Sequence, residues 1–127
     1  ADSSHVVYGS AKTPDTFTAL RGGPYQKSAL AAVVRKTSEA EQRALVRLSD
    51  VERAQAYGDR AMLFAAAPVF DGASRIGTVV AVIGASRLEE AMLPGSDAGR
   101  WARLGLGEQG EILLIGPDGR LRSTPRG

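Results

Sequence analysis

The sequence predicts an α/β domain: a small antiparallel sheet with helices packed on it. Two observations carry the sheet. Residues 62–83, MLFAAAPVFDGASRIGTVVAVI, are two long apolar runs joined by a short polar turn that contains glycine. Each run is too apolar for a half-solvated strand, so a central hairpin with both faces covered is expected. Later, Glu111–Ile115, Gly116–Gly119 and Arg120–Ser123 spell strand, turn, strand. A third observation supplies a helix: Ala29, Leu30, Val33 and Val34 fall on one face at helical spacing.

Taken in order, His5–Tyr8 alternates weakly and is β-branched, which predicts a short first strand. Residues 10–23 carry threonines, Pro14 and the pair Gly22-Gly23, which is loop chemistry. Pro24 stands where a first helical residue would, its fixed φ and missing donor both tolerated there, so a helix is expected from Tyr25 to about Lys36. Thr37–Arg43 is polar and is expected to end it or to form a loop. Ala44–Ser49 alternates well enough for a strand, and Asp50–Arg60 reads as a charged connection. The long strands follow over about 61–70 and 75–84, with Asp71-Gly72-Ala73-Ser74 as the turn, where glycine supplies the positive φ of a tight reversal. Ser86 with Glu89 three residues on forms a capping-box pattern, so a short helix is expected to start there and to end before Pro94-Gly95. Trp101 and Leu104, three apart, suggest an amphipathic turn packed on the sheet.

Composition narrows the function classes. The 127 residues carry 16 basic and 14 acidic side chains. Residues 1–99 hold 11 of each sign, and five spread-out arginines beyond them do not make a phosphate-tracking stripe. A nucleic-acid partner is therefore not expected. The absence of cysteine excludes disulfides, thiol catalysis and thiolate metal sites. The longest uncharged apolar stretches are about half the roughly twenty residues that a membrane span needs.

Four pieces of the chain resemble the Cache family of extracytoplasmic sensor domains, which are PAS-like folds. The first is Gly23-Pro24-Tyr25 with Ser28 and Leu30, followed by Leu48-Ser49-Asp50 with Tyr57. The third is Phe64–Asp71 with Ile76–Ala81 on the return strand. The last is Gly105–Glu111 with Gly116–Ser123. The likeness is closest to the double-Cache sensors of bacterial chemotaxis receptors, histidine kinases and membrane-bound nucleotide cyclases. It implies a PAS-like antiparallel sheet with helices packed on it. Residues 1–93 would be a partial membrane-distal module, 94–104 a linker, and 105–127 the start of a second module or an added hairpin. The family's first module normally opens with a long helix and a strand before the equivalent of His5–Tyr8. The chain is thus expected to be an incomplete piece of a receptor. The implied location is extracytoplasmic, and the implied partners are a small-molecule ligand and the rest of a transmembrane receptor, with room for a homodimer.

The candidate chemistry is sparse. His5 is the only histidine, so neither a histidine metal site nor a Ser-His-Asp arrangement gains a second member from it. Gly105, Gly107 and Gly110 spell G-x-G-x-x-G, but a helix before and a strand after reverse the order that a dinucleotide loop requires. Glu89 and Glu90 are adjacent on a helix and diverge. Asp50, Asp59 and Asp71 suit turns, where aspartate bonds its own backbone. No cofactor and no catalytic residue is expected.

Resemblance places the Arg47 strand and the loop after it at a pocket between sheet and covering elements. The candidate ligand-binding residues are therefore Tyr25, Arg47, Ser49, Asp50, Tyr57 and Phe64. Arg47 would pair with a ligand carboxylate through two parallel hydrogen bonds, Tyr25 and Tyr57 would close over it, and Phe64 would line the floor. The plainer alternative is a surface arginine beside two half-buried tyrosines. The aromatic-rich arginine motif of amino-acid-binding members is missing from this strand, so the resemblance does not extend to amino-acid sensing. Three functions follow: an extracytoplasmic sensing module, a profilin-like or roadblock-like interaction scaffold that pairs through a sheet edge, or a small enzyme. The last lacks any nucleophile–base or metal constellation.

Overall fold

The computed structural model describes residues 5–10, 14, 18–92, 102–107 and 110–125. The chain divides into two compact units, Ala1–Ile83 and Gly84–Gly127.

The first unit is built on the helix α1, Ala29–Ser38, and a four-stranded antiparallel sheet: β1 Arg47–Leu48, β2 Glu52–Ala54, β3 Arg60–Asp71 and β4 Ser74–Gly84. All three other strands pair with β3. β1 aligns Arg47 with Ala66 and Leu48 with Ala65, whereas β2 aligns Glu52 with Met62 and Ala54 with Arg60. An unbroken ladder would bring Val51 opposite Met62, so the register slips by one residue between the two segments. That slip is a β-bulge at 49–51. Since β4 returns along β3 from a two-residue turn, β1 and β2 share the remaining edge as one bulged strand.

The hairpin of β3 and β4 lies where the apolar runs predict it. Gly72 takes φ 56° at the first turn position, where a type II′ reversal calls for glycine. The expectation that both strands are central with both faces covered is only half met. β3 is central; β4 is an edge strand among the described residues. On the α1 side, Leu30, Ala31, Val33 and Val34 close over Met62, Phe64 and Ala66, joined by Leu20 and Ala54. Elsewhere Leu48, Ile76 and Val79 stay exposed. Continuous apolarity states the cover a strand needs: β3 receives it on both faces, with Leu63 buried on the side away from Phe64, whereas β4 receives it only in part.

α1 begins at Ala29, four residues after the expected start at Tyr25. Gly23–Ser28 forms successive turns, with Gln26 N–H donating to Gly23 O (3.1 Å) and Ser28 N–H to Tyr25 O (3.0 Å). A side chain at Gly23 would run into the Ala19 carbonyl, so glycine is required by close approach. Ser28 is the N-cap, extended at φ −71°, ψ 157°, and its Oγ accepts from Ala31 N–H (3.1 Å). A second cap comes from β2: Glu52 Oε1 accepts the Ala29 N–H at 2.7 Å. A carboxylate at a helix N-terminus satisfies an orphan donor and opposes the positive end of the dipole. At the other end Arg75 of β4 donates to Ser38 O (2.9 Å) and to Thr78 Oγ1 (2.6 Å). Thr37, expected at a polar helix end, is fully buried and donates its hydroxyl to Val33 O (2.7 Å), which removes the cost of burying it.

Two other expectations need correction. His5–Tyr8 is not a strand of this sheet: His5 makes an isolated antiparallel bridge with Ala19, and Val6 N–H donates to Thr18 O (3.1 Å). The supposed connection 50–60 contains β2 and a 3-10 turn, Gln55–Tyr57, closed by Gly58 and Asp59 in the left-handed region. The side chains of Glu52 and Arg53 hide an edge strand from an apolar pattern search.

In the second unit, α2 spans Ala85–Met92 and therefore contains Ser86 rather than being capped by it. Glu89 is not closing a capping box; its Oε1 accepts the Thr124 N–H (2.7 Å) and hydroxyl (3.1 Å). The strand–turn–strand of 111–123 reduces to one bridge, Ile115 with Leu121, around a turn in which Gly119 N–H donates to Gly116 O. Ser123 is buried and its Oγ accepts the Leu114 N–H (2.9 Å). Gly105 and Gly107 both take positive φ, as loop residues do. Trp101 and residues 94–101 of the expected linker lie outside the described residues, while Ala102–Leu104 are exposed.

Candidate functional site

The six candidate residues fall on or beside the α1 face of the sheet, with different duties. Phe64 is 1% exposed and fills the core under α1. Its ring meets Tyr57 at 6.1 Å between centroids, tilted by 59°, a favourable edge-to-face range. Tyr57 ends the 3-10 turn, half-buried, and its carbonyl accepts from Arg60 Nε (2.9 Å). Tyr25 precedes α1 and also packs, half-buried, against this core. Aromatic side chains thus rim the core from two separate chain segments.

Ser49 and Asp50 build the bulge. Ser49 N–H donates to Phe64 O (2.8 Å), as in a regular ladder. The reciprocal bond is different: Phe64 N–H donates to Ser49 Oγ (2.9 Å), the side chain standing where a backbone carbonyl would be. The same hydroxyl donates to Asp50 O (2.7 Å), and Asp50 Oδ1 accepts the Val51 N–H (2.7 Å). Side-chain oxygens of this kind replace ladder bonds where the register slips. The polar atoms expected to meet a ligand here hold the backbone.

Arg47 is placed differently. Its cross-strand partner Ala66 is fully buried beneath α1, so Arg47 starts from the same face as Phe64. Its side chain is exposed, and among the described residues the guanidinium has no hydrogen-bond or ion-pair partner. The Tyr25 hydroxyl likewise has none among the described residues. The structure therefore brings Tyr57, Phe64 and Ser49 together and leaves Arg47 at the sheet margin.

Sequence reasoning missed two polar residues that fix this region, Glu52 and Arg75, which cap opposite ends of α1. Neither announces itself locally, since Glu52 meets Ala29 across 23 positions and Arg75 meets Ser38 across 37. Among the described residues no cluster of three or more metal-ligating side chains occurs, and no helix is long and apolar enough to cross a membrane. No protein-family model, no curated protein and no solved structure matches this chain.

Proposed function

We propose that the chain is a non-enzymatic sensing module of PAS-like, Cache type from the extracytoplasmic part of a transmembrane receptor, and that it takes a small anionic solute on the α1 face of its sheet. The observation that supports this reading is a pair of polar ends with no partner among the described residues: the exposed guanidinium of Arg47, which starts from the Phe64 face of the sheet, and the hydroxyl of Tyr25, which packs against the same core as the Tyr57–Phe64 pair. A planar guanidinium takes a carboxylate through two parallel hydrogen bonds. Bound there, a solute bears on the bulge and on the start of α1, the two features that set how β1 and β2 sit on β3. It would bias the arrangement only by its difference in affinity for the two states.

Thermal-shift screening of small carboxylates and phosphates against the wild type and Arg47→Ala tests the reading. A solute that stabilises the wild type and has at least about tenfold weaker effect on the variant supports it. Equal stabilisation of both proteins refutes the role of Arg47. A second reading, an interaction scaffold of profilin-like or roadblock-like type, draws on the outer strand β4, which is partly exposed and carries Arg75 as its single charge. A scaffold shows no saturable response to any solute in that screen.

A further inference from the structure

β4 is the least finished part of the first unit. It runs eleven residues, Ser74–Gly84, and pairs on one side only, with β3, among the described residues. Its outer main-chain donors and acceptors face no strand there. Long, flat, uncharged edges are what native proteins otherwise avoid by placing lysine, proline or a covering element on them. Here Ile76–Gly84 contains no charge and no proline. Ile76 is 66% exposed and Val79 58%, so apolar side chains flank the open backbone. The single charged residue of the strand is Arg75, and two of its nitrogens are already engaged with Ser38 and Thr78.

We infer that β4 pairs antiparallel with β4 of a second copy of this chain, joining two sheets into one across a two-fold axis. The chemistry of the edge asks for a strand, because only an extended backbone satisfies a row of alternating donors and acceptors. It asks for an apolar, uncharged strand, because that is what flanks it. β4 itself meets both requirements, and antiparallel pairing about a two-fold axis is self-complementary by construction. An axis between Val79 and Val80 sets Ile76 against Ile83 and Thr78 against Ala81 of the other copy. Arg75 then faces Gly84 rather than another arginine, so no like charges meet. The pairing is independent of whether the module senses a solute, and its failure leaves the ligand screen untouched.

Analytical ultracentrifugation of the full chain over a wide concentration range, with amide hydrogen exchange on the same samples, is the test. The wild type is expected to dimerise, and the exchange of main-chain amides in 74–84 is expected to slow as the dimer forms. Val79→Lys puts a cation at the axis and is expected to raise the dissociation constant by at least about tenfold. Leu48→Lys, on β1 at the other edge, is expected to leave it unchanged. A wild type that stays monomeric at millimolar concentration overturns the proposal. So does a dimer whose β4 amides exchange at the monomer rate, a reading that holds even where the lysine variant fails to fold. A dimer that Leu48→Lys dissociates as readily as Val79→Lys overturns it as well, since the interface would then be a sheet face.

Discussion

Replacing Ser49 by alanine separates a structural from a ligand-binding role for the residue at the bulge. The wild-type hydroxyl accepts the Phe64 N–H at 2.9 Å and donates to Asp50 O at 2.7 Å. Without it, the Phe64 amide, partly buried, loses the acceptor it has in the wild type. A lost net hydrogen bond costs about 0.5–1.5 kcal/mol and an unsatisfied buried donor about 1–3 kcal/mol, so Ser49→Ala should destabilise the first unit by about 2 kcal/mol. For a unit of this size each kcal/mol lowers Tm by about 4–8 °C, which makes the loss roughly 8–16 °C. Urea unfolding followed by circular dichroism gives the free energy, and a thermal scan gives Tm. Ser49→Thr keeps the hydroxyl and should recover most of the stability. Ser38→Ala is the control, since that hydroxyl is exposed and bonds within its own helix, to Arg35 O. A Ser49→Ala loss below about 0.5 kcal/mol, equal to an ordinary surface change, would refute the claim that this side chain completes the sheet.

Other substitutions have expected outcomes on the same unfolding assay. Glu52→Ala removes the acceptor at the start of α1 and should cost about 1–2 kcal/mol, whereas Glu52→Gln, which can still accept, should cost less. Phe64→Ala empties the core between α1 and β3 and should cost about 3–5 kcal/mol, or prevent folding. Val80→Ala should cost only about 1 kcal/mol, because Val80 is half-buried on an edge strand; an effect as large as that of Phe64→Ala would mean that β4 is covered in solution.

The β3–β4 hairpin and the inward face of α1 were legible in the sequence because each is a periodic pattern many residues long. Leu30, Val33 and Val34 recur at helical spacing, and the run around Gly72 contains its own turn chemistry. The start of α1 was not legible. Pro24 carries a first-helical-residue signal, yet the extended Ser28 and the reach of Glu52 from β2 set the boundary at Ala29. β2 was missed because an edge strand with Glu52 and Arg53 need not look apolar. The burial of β4 was overestimated for a related reason, since its composition states a need for cover and the described residues do not fully meet it. At the candidate site, Phe64 and the two tyrosines could be chosen as large aromatics near a core. The duties of Ser49 and Asp50 could not be chosen that way, because a one-residue register slip depends on the pairing with β3 and leaves no local signature.

The sensing claim is tested most directly by a residue-resolved nuclear magnetic resonance titration of the chain with a defined set of small carboxylates: acetate, lactate, pyruvate and succinate. At least one is expected to produce saturable shifts confined to the amides of Tyr25, Arg47, Tyr57 and Phe64 and the side chain of Arg47, and Arg47→Ala is expected to abolish them. Saturable shifts centred elsewhere, shifts that persist in Arg47→Ala, or no saturable shift with any of the four would contradict the sensing claim.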